Sequence, residues 1–353
     1  MLLNQLIERR VALEHRLQDE RGDLTEPRAR RYDREYLELQ KDLAARFREG
    51  DEAERIAAML EMMRVLENRL VYLHNFAVDP SAENRTLAQL VTRFIDRLAE
   101  EGSSVLTSLE ATYYRAVAAL YAGDTAAARA RFAAACASEE SDEANDIKYK
   151  SYVMLGNLAH EERDFAKARE LHDQSLRYTP DGNVTAQALA LKALNSYALG
   201  EIDEALHLFR ESLERFDSNQ PHFNAYFFRN ALLFCGAIAF DRGEFDAARH
   251  DYTRALQNAE PHSYDAFDAL IHLGRIEYRQ RHYARALAAF EKALQTHRFA
   301  ENELLVDTWF WIARTHLKRG EPDRARGYLE KIAASDVRYA NKTQAVELLR
   351  RIA

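Results

Sequence analysis

The feature that most constrains this chain is a pattern of small residues around a turn, repeated six times. The turn residues are Gly123, Arg163, Gly200, Gly243, Arg281 and Gly320. Five residues after each stands an alanine: Ala128, Ala168, Ala205, Ala248, Ala286 and Ala325. Seven residues before each stands Ala116, Gly156, Ala193, Gly236, Gly274 or Ala313. Nine residues after come Phe132, His172, Phe209, Tyr252, Phe290 and Leu329, and the turns are 40, 37, 43, 38 and 39 residues apart. Residues 273–294, LGRIEYRQRHYARALAAFEKAL, show what one unit is. Leu273, Ile276 and Tyr278 mark the buried side of a first helix, and Arg281-His282 is the turn. Tyr283, Ala286, Leu287, Phe290 and Leu294 then recur at the three- and four-residue steps of an amphipathic helix. Gly274 and Ala286 have almost no side chain, so the two backbones are expected to approach closely, with Phe290 and Ala293 meeting the next hairpin. Six such hairpins in tandem predict a stack in which each unit packs on its neighbours.

The pattern is similar to the tetratricopeptide repeat, in which a small residue of helix A faces an alanine of helix B. Gly156, Ala168 and Pro180 carry the resemblance, as do Gly274, Tyr283, Ala286, Phe290 and Ala293. It runs over roughly residues 109–334. Two departures stand out: Arg115 in the first repeat and Lys192 in the third occupy the usually apolar place before the small residue. The spacing also exceeds the usual repeat of about 34 residues, which predicts longer helices or connections. The resemblance implies an all-α, right-handed solenoid of six helix-turn-helix repeats over residues 104–334, with an inner wall built from the A helices.

Residues 1–75 lack the signature. Leu3, Leu6, Leu13 and Leu17 keep a 3-4 rhythm that Arg10 interrupts. Thr25-Glu26-Pro27 starts a second helix, carrying Ala29, Tyr32, Tyr36, Leu39 and Leu43. Asp51 and Glu54 open a third with Ile56, Met59, Met63, Leu66, Leu70 and Leu73 on one side. An antiparallel three-helix bundle or coiled-coil hairpin follows. Residues 79–102 read as a capping or connecting helix with Leu87, Leu90, Val91, Phe94, Ile95 and Leu98 inward, and residues 341–352 as a C-terminal cap.

The formal net charge of −8 gives the whole molecule no basic footprint, so nucleic acid is not an expected partner. No apolar run approaches the ~20 residues of a membrane span, so no membrane insertion is expected. The start, MLLNQLIERR, does not read as a signal peptide, and the cytoplasm is the default compartment. Cys136 and Cys235 read as buried free thiols. Twelve histidines form no HExxH pair, and there is no glycine-rich phosphate loop and no GxSxG. Neither an enzyme, a metal site nor a cofactor is expected.

What remains is a binding wall. Alignment to the repeat places Asn157, Asn230, Leu233, Phe240, Ile271, Arg275, Tyr278, Phe310 and Arg314 on it, a mixture suited to a peptide or helix. The aromatics could equally fill space between long helices. Arg275 and Arg314 occupy corresponding places in adjacent repeats. Either an acidic or C-terminal peptide satisfies them, with Phe310, Leu233 and Phe240 taking its apolar side chains, or Asp268 and Asp307 pair with them internally. Trp311 reads as inter-repeat packing or as an exposed anchor. The expected function is a non-catalytic scaffold or adaptor holding a protein or peptide partner, with self-association through residues 1–75 as a further expectation. The alternative rests on layout. A bundle followed by long repeats resembles Rap-type regulators of bacterial response-regulator signalling, and Gln40 is then a mid-helix candidate for orienting water at a phospho-aspartate, beside Gln5 and Gln18, with no motif to select among them.

Overall fold

A computed structural model describes residues 2–19, 26–73, 107–139, 141–220, 223–259, 261–297 and 302–352, with residues 89, 92, 93, 95 and 96 between them. The described residues form sixteen α-helices in two compact units, Met1–Phe223 and Asn224–Ala353. The first unit holds α1 (Leu3–Asp19), α2 (Glu26–Glu49), α3 (Glu52–Leu73), α4 (Ser108–Tyr121), α5 (Thr125–Cys136), α6 (Asp142–Glu161), α7 (Phe165–Ser175), α8 (Gly182–Ala198) and α9 (Ile202–Arg215). The second holds α10 (Ala225–Asp241), α11 (Phe245–Gln257), α12 (Tyr264–Arg279), α13 (Tyr283–Thr296), α14 (Glu303–Lys318), α15 (Pro322–Ala334) and α16 (Lys342–Ile352). Consecutive helices pack against each other from α1 to α3, from α4 to α9 and from α10 to α16.

One local device makes every hairpin. All six turn residues have positive φ: 85° at Gly123, 64° at Arg163, 82° at Gly200, 77° at Gly243, 66° at Arg281 and 75° at Gly320. The following N–H then reaches back to a carbonyl five residues earlier, as from Asp124 to Ala119, His282 to Glu277 and Glu321 to His316, at 2.9–3.0 Å. This is the left-handed helix cap that satisfies end carbonyls and reverses the chain. Asp124 and Asp164 cap the next helix through their side chains.

The small residue before the turn has a different partner from the expected one. A Cβ on Gly274 would stand 2.5 Å from Phe290 Cε1, and on Gly236 2.9 Å from Tyr252 Cζ. The space is therefore taken by the ring nine residues beyond the turn, in the same hairpin; Phe290 is not reserved for the next one. Ala286 is fully buried beside it.

Arginines follow the invariant alanine in four repeats and tie each hairpin to the next element. Arg129 donates to Glu162 at 2.7 Å, Arg169 to Glu201, Arg249 to Glu277 and Gln280, and Arg326 to the carbonyl of Ile352 at 2.6 Å. The two departures from the repeat also find partners: Arg115 donates to Asp96 at 2.7 Å, and Lys192 to Asp173 at 2.5 Å.

Helices α1–α3 pack mutually around Leu6, Leu13, Tyr32, Tyr36, Leu39, Leu43, Ile56, Met59, Met62 and Val65. Arg10, which breaks the leucine rhythm, is buried against Glu61 of α3, and Arg64 donates to the same carboxylate at 2.5 Å. The side chains of Leu17, Met63, Leu66, Leu70 and Leu73 lie outside the described residues, as does most of the helix expected over 79–102. Ile95 of that stretch is buried with Ala111, Ala116 and Val117. Cys136 is partly buried, its thiol pushed up by burial to about 12, and Cys235 is fully buried. No helix among the described residues is long and apolar enough to cross a membrane.

Candidate functional site

The A helices of the second unit, α10, α12 and α14, bring most of the candidate residues together. The centre is an alternation of guanidinium groups and rings. Arg275 lies over Phe240 at 5.1 Å and over Trp311 at 5.2 Å. Arg314 lies over Trp311 at 4.9 Å, Tyr278 at 5.4 Å and Phe310 at 5.5 Å. Because both charges flank the Trp311 ring, they are at most about 10 Å apart. At that separation and an effective dielectric near 20, their repulsion is about 1.7 kcal/mol. Cation–π contacts contribute roughly 0.5–2 kcal/mol each, so the rings can hold both cations without a carboxylate.

Among the described residues no carboxylate pairs with either arginine. Asp307, expected as an internal partner, is engaged elsewhere: Trp311 Nε1 donates to its Oδ2 at 2.9 Å and the Tyr339 hydroxyl to its Oδ1 at 2.7 Å. Burial, with the hydrogen bond and charge of Asp307, raises the Tyr339 phenol well above its ordinary range, so it stays a donor. Asp268, the other expected partner, lies 3.4 Å from His272 Nε2. His272 Nδ1 in turn faces Arg275 Nη1 at 3.4 Å, a weak contact for a guanidinium. Arg275 Nε is buried and donates to no described group. The internal pairing of Arg275 and Arg314 with these two aspartates is thus not what the structure contains.

The other candidates divide by exposure. Asn230 is half-buried on α10, and Asn157 is half-buried on α6, in the first unit. Leu233, Phe240 and Tyr278 keep 8%, 6% and 9% of their surface. Ile271 and Phe310 keep 0% and 1%, which corrects their expected place on the binding wall. Each sits where its helix is covered by neighbours, so Phe310 takes no ligand side chain and instead backs Arg314. Trp311 is buried packing, with its N–H spent on Asp307. Reading by register overlooked Arg279, which lies 5.7 Å over Phe240, although its place four residues after Arg275 was a usable signal. It also overlooked Tyr339, which falls outside any helix and so outside any periodicity.

Paired helices turning at a left-handed residue, with Gly156, Gly236 and Gly274 each faced by a ring of its own hairpin, define an all-α helical-repeat protein. Residues 236–303 and 307–336 match two tetratricopeptide repeat family models, so those residues of the chain carry tetratricopeptide repeats. No match was found among curated protein sequences. Among solved structures, it is similar to a signal-transduction ATPase with a tetratricopeptide repeat sensor from Pyrococcus horikoshii, at 14% identity and a TM-score of 0.57 over 90% of this chain and 49% of that one. The apo form of RapI is also similar, at 14% identity and a TM-score of 0.55 over 93% of this chain and 87% of that one. At such identities the likeness is one of fold.

Proposed function

We propose that this chain is a protein-interaction scaffold that holds an acidic segment of a partner on the α10–α12–α14 face, against Arg275 and Arg314. One observation carries the reading. Two arginines are held side by side by aromatic rings while the aspartates nearest in register are engaged by Trp311, Tyr339 and His272. Stacked guanidinium groups keep their N–H edges for bidentate bonds to carboxylates. Tyr278 and Leu233 offer the remaining apolar rim, and Asn230 a polar one. A pull-down from native lysate, comparing the intact protein with Arg275→Ala/Arg314→Ala, tests it. A partner lost from the double variant while circular dichroism stays unchanged supports the face. Equal recovery of every partner removes it and passes the contact to α1–α3, where self-association through residues 1–75 would be sought by sedimentation.

The likeness to RapI favours a second reading, because a match over 93% of this chain takes in most of α1–α3 as well as the repeats. In that reading α2 presents Gln40 to a phosphorylated receiver domain. Release of phosphate that is lost in Gln40→Ala would favour it; an unchanged rate would end it.

A further inference from the structure

We infer that the partner is recognised through a run of acidic side chains, and that Arg279 is the third cation reading it. This rests on the proposed role of Arg275 and Arg314. Three guanidinium groups and two rings alternate as Arg279, Phe240, Arg275, Trp311 and Arg314, with centroid distances of 5.7, 5.1, 5.2 and 4.9 Å. Among the described residues, Arg279 too has no carboxylate partner, and it is exposed. A chain terminus brings one carboxylate and satisfies one fork. The ladder offers three, with neighbours at most about 11 Å apart. In an extended strand, side chains on one face recur about every 6.6 Å, so acidic residues two positions apart reach successive arginines.

Charge supports the same occupant. Residues 224–353 hold 20 Lys and Arg against 17 Asp and Glu, a net +3, while the other 223 residues carry −11. Nucleic acid fits less well. Single strands gain affinity by stacking bases on free aromatic faces. Here Trp311 and Phe240 each already carry two guanidinium groups, and both rings are mostly buried.

The test uses the full chain and fluorescence anisotropy with three labelled probes. One is a hexaglutamate peptide with Gly-Ser flanks and an amidated C-terminus. The second has glutamines in place of the glutamates and a free terminal carboxylate. The third is a twelve-residue oligothymidylate. The amidated acidic probe should bind at least tenfold more tightly than the other two, and Arg279→Gln should weaken it about three- to tenfold. Equal binding by the glutamine probe, or no effect of Arg279→Gln while Arg275→Gln still weakens binding, overturns this inference and leaves the face itself standing. Tighter binding of the oligothymidylate overturns it in favour of nucleic acid. If the acidic probe binds regardless of Arg275→Gln/Arg314→Gln, or does not bind at all, the underlying reading of the face falls as well.

Discussion

At Arg163 and Arg281 the backbone takes the left-handed conformation that glycine supplies in the other four turns. A side chain there costs roughly 1–2 kcal/mol against a helical or extended residue, partly offset by its lower entropy in the unfolded chain. Both arginines are exposed, so little else holds them. Arg281→Gly should therefore raise stability by about 0.5–1 kcal/mol, read as a higher urea midpoint with unchanged slope; a lower midpoint would show that Arg281 makes a stabilising contact. Gly274 behaves in the opposite way. Its φ is ordinary, but an added methyl would stand 2.5 Å from Phe290 Cε1 and 2.7 Å from Cδ1, in a fully buried ring. Overpacking of this kind typically costs ~1–3 kcal/mol. Gly274→Ala should lower the thermal midpoint, and Gly274→Ala/Phe290→Leu should recover part of the loss. Failure of the double variant to recover any would point to a cause other than the ring.

Between helices, buried polar pairs set the register. Arg10 and Glu61 lie 51 residues apart, both almost wholly buried. Removing one partner strands the other charge, which typically costs 3–5 kcal/mol, whereas apolar replacement of both is near neutral. Because Arg64 still reaches Glu61, Arg10→Met alone should cost less than a fully stranded charge, about 1–3 kcal/mol, and Arg10→Met/Glu61→Leu less still; equal losses would argue against a carboxylate left partly unpaired. Helices α6, α7 and α8 meet at a polar triad of His160, His172 and Asn195. Asn195 Oδ1 faces His160 Nδ1 at 2.8 Å, and Asn195 Nδ2 donates to His172 Nδ1 at 2.9 Å. Burial pushes His172 down from 6.5 to about 4. As pH falls, the unfolded chain takes up this proton near 6.5 and the folded chain only near 4, so stability is lost across that window. Between pH 7 and 5 the loss from this residue should be on the order of 2 kcal/mol, and His172→Phe, which matches the ring in three other repeats, should remove that part of the slope. Parallel stability–pH curves for the two proteins would refute the assignment. Such pairs also explain what the sequence conceals. The hairpins are legible because one turn residue, one alanine and one small residue recur at fixed offsets. Partners such as Glu61 for Arg10, or Tyr339 for Asp307, follow no period. The site is legible to the extent that it obeys register: Arg275 and Arg314 fall in line, 39 residues apart. Ile271 and Phe310 misled because helices packed on both sides bury a stripe wider than one wall.

Over the whole molecule, the net charge of −8 opposes the attraction that the arginine ladder exerts on an acidic segment. Ionic strength separates the two effects. At 0.01 M salt the screening length is about 30 Å, so an approaching anion feels the net charge of −8 as well as the ladder. At 0.15 M it is about 8 Å, shorter than the roughly 10 Å that can separate adjacent ladder cations, and the local +3 half governs only close approach. Moderate salt thus screens the distant repulsion before it erases the local attraction. The association rate of the amidated hexaglutamate probe should rise between 0.01 and about 0.05 M salt, then fall towards 0.5 M, whereas its dissociation rate should only increase. Duplex DNA, a longer and denser anion, meets the repulsion along its length and should show no appreciable binding at physiological salt. Stopped-flow anisotropy across this range would decide the matter. An association rate that falls steadily from the lowest salt would mean that the net negative charge is not felt at the face, and steep, sub-micromolar DNA binding would mean that the cationic strip dominates the field.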